Sequence, residues 1–148
     1  MNILFVCSDN TYQSPIVAAI TESILTESSI DLVVDSAGLF CANGAKVKGK
    51  VIELMQSMGF DLSTHRSKPL SVGLMNEADL VIAMTETDKR VLLRQFIFMA
   101  NKIKTICEWA GTENAEECMA SIDRVAKKDI ETLQKLIAKA ITNMKPLR

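Results

Sequence analysis

The chain has 148 residues, of which 48% are hydrophobic and 24% are charged, and its formal net charge is −1. This length and hydrophobic content predict one folded domain over residues 1–148 and exclude a disordered chain. The near-neutral charge, without blocks of like charge or a nucleic-acid-binding motif, argues against nucleic acid or an anionic membrane as a partner.

The N-terminal residues do not resemble a secretory signal. They read MNILFVCSDN, with no positively charged start and an apolar run only from Ile3 to Cys7. No stretch of the chain approaches the roughly 18 apolar residues that a membrane span needs. We therefore expect a cytoplasmic protein. Nothing in the sequence predicts a particular oligomeric state.

The cysteines do not form a metal-binding pattern. Cys7, Cys41, Cys107 and Cys118 are widely and irregularly spaced, with no C-x-x-C pair, and the chain has a single histidine. This spacing argues against a zinc site. We expect no metal and no cofactor, and in a reducing cytoplasm we expect all four cysteines to be free thiols.

The first half of the chain alternates predicted strands and helices. Asn2–Cys7 is a continuous apolar run typical of a buried parallel strand. After a loop, Ser14 and Pro15 resemble a helix cap and first helical residue. Residues 31–36 predict a second strand, and apolar residues at helical spacing over 47–58 predict a helix that ends at Gly59.

The second half continues the alternation. Residues 80–84 and 103–107 predict two further strands, separated by a helix over about 85–96, and apolar residues from 130 to 144 predict a long C-terminal helix. Alternating strands and helices indicate right-handed crossover units on a parallel sheet. The sequence thus predicts a three-layer α/β domain, with a four-stranded parallel sheet and helices on both faces.

The loop after the first strand is the expected functional site. In open parallel sheets, ligands bind at the carboxyl ends of the strands, where Cys7 lies. A loop that leads into a helix can point backbone N–H groups at an anion, and the same field can activate a cysteine. The alternative from position alone is that Cys7 is a buried thiol at the end of a strand.

The residues of this loop resemble a known family. The segment from Val6 to Pro15, VCSDNTYQSP, is similar to V-C-x-G-N-x-C-R-S-P of the low-molecular-weight protein-tyrosine phosphatases. The resemblance continues over the whole chain, through D-S-A-G at 35–38, T-H-R at 64–66, E-A-D-L-V-I-A-M-T at 77–85 and Glu-Trp at 108–109. It implies the fold of phosphotyrosine protein phosphatase I.

The resemblance also implies roles for individual residues. Cys7 corresponds to the nucleophile that takes the phosphoryl group, Ser14 to the residue that supports the thiolate, and Gln13 to the position that clamps the phosphate. The phosphate loop comprises Ser8, Asp9, Asn10, Thr11 and Tyr12. Asn10, Ser36 and His65 correspond to the network that holds this loop, and the implied partner is a phosphoprotein or anion.

Three loop positions depart from the family. Gln13 replaces an arginine and carries no charge, so it cannot form a bidentate ionic clamp. Asp9 replaces a glycine, and its carboxylate is expected to repel phosphate, to raise the pKa of Cys7 and to fit the backbone angles of glycine poorly. Tyr12 replaces the second cysteine that many members carry.

The general acid of the family is also missing. It lies in an Asp-Pro pair, and the sequence contains no such pair. In the corresponding loop, about residues 112–120, Glu116 and Glu117 are the candidates for a substitute acid, and both are equally compatible with a solvated loop. Arg66 is a candidate substitute for the missing arginine, on account of its position next to His65.

Several functions remain open from the sequence. The leading hypothesis is a catalytically impaired member of the phosphatase family with a binding or regulatory role. The alternative is a weakly active or redirected phosphatase acting on phosphotyrosine or, because Thr11 resembles the arginine-phosphatase branch, on phosphoarginine. Thiol redox sensing at Cys7 is a further alternative. Arsenate reduction is disfavoured because residues 82–89 and the helix that follows contain no additional cysteine.

Overall fold

A computed structural model describes residues 1–28, 30–112 and 126–144. Its strands are β1 (Asn2–Cys7), β2 (Val33–Gly38), β3 (Leu80–Ala83) and β4 (Ile103–Thr105). All pair in parallel, in the order β2–β1–β3–β4. This confirms the predicted four-stranded parallel sheet and places β1, which ends at Cys7, in its interior.

The helices connect the strands as the alternation predicts. Those described are α1 (Gln13–Ser28), α2 (Gly49–Ser57), α3 (Val72–Glu77), α4 (Glu86–Gln95), α5 (Ile106–Ala110) and α6 (Lys127–Met144), with a 3-10 helix at Ile97–Lys102. No helix among the described residues is long and apolar enough to cross a membrane.

The side chains of β1 divide between two hydrophobic cores. Ile3, Phe5 and Cys7 face one core, which α1, α2, α5 and α6 also line. Leu4 and Val6 face the other, which α3 and α4 cover. This alternation is the period of two that a pleated strand imposes. The fold class predicted from the sequence, with helices on both faces of the sheet, is confirmed.

The boundaries of several elements differ from prediction. Strand β2 begins two residues later than expected, and β4 stops at Thr105 instead of continuing to Cys107. It stops because Thr105 and Glu108 form a capping box that starts α5. The short helix α3 and the 3-10 helix were not predicted, since a turn or two of helix leaves little periodicity to detect.

The cysteines do not all behave as expected. Cys7 and Cys41 are free thiols, but Cys107 is disulfide-bonded. The expectation of four free thiols is therefore wrong at Cys107. Spacing along the chain tests for zinc motifs and does not measure which cysteines meet in the fold. Cys118 lies outside the described residues.

Candidate active site

The loop between β1 and α1 lies at the carboxyl end of the sheet. On one side, Leu39 N–H donates to the carbonyl of Cys7 at 2.9 Å and Phe40 N–H donates to that of Ser8 at 2.8 Å. On the other, Met84 N–H donates to the Val6 carbonyl at 3.0 Å. The chain after β2 and the chain after β3 therefore hold the start of the loop between them.

Cys7 lies at the bottom of this loop and is 1% exposed. Its Sγ is 2.9 Å from Ser14 Oγ and accepts the N–H of Asn10 at 3.3 Å. Burial raises the pKa of the Cys7 thiol, which the bonds from Ser14 and Asn10 oppose, while the negative charge of Asp9 raises it further. These surroundings thus favour the thiol over the thiolate.

Asn10 organises the loop from a fully buried position. Its φ of 58° places it in the left-handed region, where asparagine is better tolerated than most residues. Its Nδ2 donates to both Ser14 Oγ and Ser36 Oγ at 2.9 Å, and its Oδ1 accepts the N–H of Lys68 at 3.0 Å. His65 Nε2 lies 2.8 Å from the Asn10 carbonyl oxygen. The structure thus brings together all four residues that the resemblance assigned to this network and to thiolate support.

Asp9 is exposed, and its carboxylate bonds the backbone of the loop itself. Its Oδ1 accepts the N–H of Thr11 at 3.1 Å and lies 3.9 Å from Cys7 Sγ. The Thr11 N–H, a backbone donor of the loop that could bind an anion, is therefore engaged by the chain's own carboxylate. The expected backbone strain at Asp9 is wrong, because Asn10 is the only non-glycine residue with a positive φ in the described part of the chain.

The remaining loop positions are half-buried or exposed. Gln13 is half-buried and is the first residue of α1, two positions before the first helical residue expected at Pro15. Thr11 and Tyr12 are also half-buried, and Tyr12 packs against the larger core. Ser8 is exposed. None of these side chains brings a positive charge to the loop.

Two other candidates do not contribute to the described site. Arg66 is exposed, and its Nη1 donates to the carbonyls of Ser63 and His65 at 3.2 and 2.7 Å, outside the loop. Glu116 and Glu117 lie outside the described residues. Within the described ranges, no three His, Cys, Asp or Glu side chains are grouped so as to hold a metal ion.

Asp88 is a site residue that the sequence analysis missed. It lies in the first turn of α4, is 5% exposed, and accepts a hydrogen bond from Ser8 Oγ at 3.4 Å. Burial raises the pKa of its carboxyl. A signal was present, because the segment after β3 had to reach the same edge of the sheet as Cys7. The pattern Thr85 to Asp88 instead resembles an ordinary helix cap, which it also is.

Comparisons with known proteins agree with this geometry. The sequence model of the family described as low molecular weight phosphotyrosine protein phosphatase matches residues 2–145. A protein-arginine-phosphatase from Bacillus subtilis (strain 168) is 32% identical over 95% of this chain and 97% of its own.

Two solved structures show the same fold. The YwlE arginine phosphatase, solved as a mutant with a phosphorylated active-site serine, is 29% identical, has a TM-score of 0.87, and aligns over 98% of this chain and 96% of its own. A low molecular weight protein tyrosine phosphatase from T. tengcongensis is 33% identical, has a TM-score of 0.83, and aligns over 97% and 99%.

Proposed function

Because the chain belongs to the low molecular weight phosphotyrosine protein phosphatase family, we propose that it is a catalytically impaired phosphatase. In this proposal the loop from Cys7 to Ser14, which we call the Cys7 loop, keeps its shape. It serves a binding or regulatory role toward a phosphoprotein or another anion. The cytoplasmic location remains a prediction from the sequence.

The position of Asp9 is the observation that carries the proposal. Its carboxylate lies 3.9 Å from Cys7 Sγ and accepts the Thr11 N–H, so an incoming phosphate dianion meets a like charge and one fewer free backbone donor. At 4 Å, two unit charges repel by about 4 kcal/mol at an effective dielectric of 20. The thiol is also kept protonated, since burial and the Asp9 charge both raise the pKa of Cys7.

Gln13 removes the group that would offset this repulsion. A guanidinium supplies two parallel charged donors to phosphate oxygens, whereas an amide supplies neutral ones. Loss of one preorganised charge-stabilising donor costs roughly 10²–10³ in rate. Loss of a general acid costs roughly 10²–10⁴. Even if these effects are not fully additive, little turnover of a phosphomonoester is expected.

Residual protein-arginine-phosphatase activity is the second candidate. The similarity to a protein of that name extends over 95% of this chain, and in sequence Thr11 resembles the loop residue of the arginine-phosphatase branch. The favourable contacts between Cys7, Ser14 and Asn10 also remain. Thiol redox sensing has less support, because Cys7 is buried and its raised pKa disfavours the reactive thiolate.

Steady-state assays test both candidates. The purified protein and its Cys7→Ser variant would be compared on an aryl phosphate and on a phosphoarginine peptide at neutral pH. We expect neither substrate to be turned over above the background of the Cys7→Ser protein. Turnover of either at the typical enzyme rate of about 10 s⁻¹, abolished by Cys7→Ser, would contradict impairment and identify the substrate.

A further inference from the structure

A group of exposed cations lies on the chain that leads into α2, in the first turn of α2 and on the segment after α2. We call Lys46, Lys48, Lys50 and Arg66 the basic shelf; all four are exposed. Ion pairs within the described residues join Lys68 to Asp35 and Lys89 to Glu108, and none involves the shelf. The shelf therefore carries four positive charges without a carboxylate within 4.0 Å among the described residues.

The shelf is fixed to the Cys7 loop by short contacts. Ser67 N–H donates to the Ala45 carbonyl at 2.8 Å, and Gly44 N–H donates to the Ser67 carbonyl at 2.7 Å. His65 and Lys68, which flank Arg66 and Ser67, both bond Asn10. The His65 ring contacts the Asn10 carbonyl oxygen, and the Lys68 N–H donates to Asn10 Oδ1. The shelf thus adjoins the residues that contact Asn10 of the Cys7 loop.

The arrangement of these cations is costly for the folded protein. Lys46 and Arg66 are directly opposite in an antiparallel bridge, so their side chains leave from the same face, and like charges so placed destabilise a sheet. Lys48 and Lys50 lie at the start of α2, which lacks both a capping side chain and an acidic residue in its first turn. Positive charge there opposes the helix dipole.

We propose that the basic shelf is a docking surface for an acidic segment of a protein partner, extending the binding role of the Cys7 loop. The inference rests on the proposed function for the idea that a protein partner is bound at all. Charges that lower stability, face solvent and have no described carboxylate partner are explained if a ligand supplies the missing negative charge.

Charge complementarity favours a polypeptide over other polyanions. A chain of net charge −1 with the four cations of the shelf offers fewer contacts than the roughly 6–10 phosphate contacts at which DNA binding becomes strongly salt-dependent. Asp9 and Asp88, which contact Cys7 and Ser8 of the neighbouring loop, would repel a continuous phosphate backbone. A short acidic segment can meet the shelf and leave these carboxylates uncovered.

Fluorescence anisotropy with a labelled, glutamate-rich peptide that carries no phosphate tests the surface. The variant is Lys46→Glu with Lys50→Glu, and the matched control is Lys135→Glu with Lys139→Glu, two exposed lysines of α6 with the same change in charge. We expect the shelf variant to bind about tenfold or more weakly than the parent, with a shallower salt dependence, and the control to bind as the parent does.

Thermal unfolding distinguishes this proposal from a loss of fold. Lys46→Glu replaces a like-charge pair with an opposite-charge pair, so its melting temperature should rise by about 1 to 4 °C while the peptide affinity falls. Adding Arg66→Gln should remove that gain. A fall in the melting temperature of Lys46→Glu would contradict the pairing on which the shelf is built.

Three results would overturn the proposal. These are undiminished peptide affinity in the shelf variant, an equal loss in the α6 control, and tighter binding of a DNA duplex or anionic phospholipid vesicles than of the peptide. Turnover of an aryl phosphate would contradict the impaired phosphatase, yet it would leave the binding of a phosphate-free peptide unaffected. The two proposals therefore fail separately.

Discussion

The buried residues that hold the Cys7 loop match the family motif, whereas two other positions of the loop do not. Asn10, Ser14 and Ser36 are buried, satisfy one another's hydrogen bonds, and match the family motif. Asp9, whose carboxylate lies 3.9 Å from Cys7 Sγ, and Gln13 do not match it. The buried residues hold the backbone and are needed for stability, whether or not phosphate is bound. Shape and chemistry are therefore separable here, and each can be tested alone.

Restoring the family residues at positions 9 and 13 should give the largest effect, an increase in the affinity for oxyanions. We expect Asp9→Gly with Gln13→Arg to raise the affinity for phosphate or vanadate roughly a thousandfold, because two charge changes near a dianion contribute several kcal/mol. Calorimetric or NMR titration measures this, and the single variants separate repulsion from clamping. If the double variant folds but binds oxyanions no better than the parent, the loop is not a phosphate-binding loop that Asp9 and Gln13 have impaired.

Breaking the inner network should affect stability instead. Asn10→Ala removes three side-chain hydrogen bonds and puts alanine at a φ of 58°, so the free energy of unfolding should fall by about 3 kcal/mol. Asn143→Ala removes one side-chain bond, to the Ala110 carbonyl, and should lose about 1 kcal/mol. Urea unfolding compares them. Equal losses would mean that the network adds nothing beyond a single bond.

The effect of Asp9 on the thiol should be smaller and depends on pH. The Asp9 carboxylate raises the pKa of Cys7, so Asp9→Asn should lower it and move the alkylation of Cys7 by iodoacetamide to lower pH. The shift should be partial, since burial is the larger cause. Mass spectrometry of the Cys7 peptide follows the reaction, with Asp31→Asn as an exposed control. An unchanged profile would show that the charge of Asp9 does not affect the pKa of Cys7.

Asp88 offers the smallest and most specific change. Because burial raises its pKa above the ordinary 3.8, any stability gained from its titration is present at low pH and is lost as the pH rises through the folded-state pKa. Asp88→Asn should therefore stabilise the protein more at neutral pH than near pH 4. Melting curves at the two pH values measure this. A gain that does not vary with pH would contradict a buried, titrating carboxyl.

The sequence analysis predicted most of what depends on pattern. The apolar run of β1 identified its exact span, and its end located the site, since parallel strands place their carboxyl ends at one edge. The resemblance supplied His65 and Ser36, which lie 55 and 26 residues from Asn10. Patterns of periodicity alone could not have paired them.

What was missed depends on contacts between distant segments. The bond from Ser8 to Asp88 spans 80 residues, and that from Lys68 N–H to Asn10 spans 58. Neither residue type signals such a partner, because an aspartate in the first turn of a helix and a surface lysine are both ordinary. The direction of the Asp9 carboxylate likewise follows from the local path of the loop, which sequence does not reveal.

The wide separation of the partners of Asn10 also has a consequence for folding. Ser14 is four residues away, but Ser36, His65 and Lys68 are 26, 55 and 58 residues away. Contacts of large sequence separation form only after the entropy of closing the intervening chain has been overcome. Cys7 is synthesised before all of these partners, and the bonds of Asn10 can be completed only once residue 68 has left the ribosome. A nascent chain that ends before residue 68 therefore carries Cys7 without the network that holds its loop.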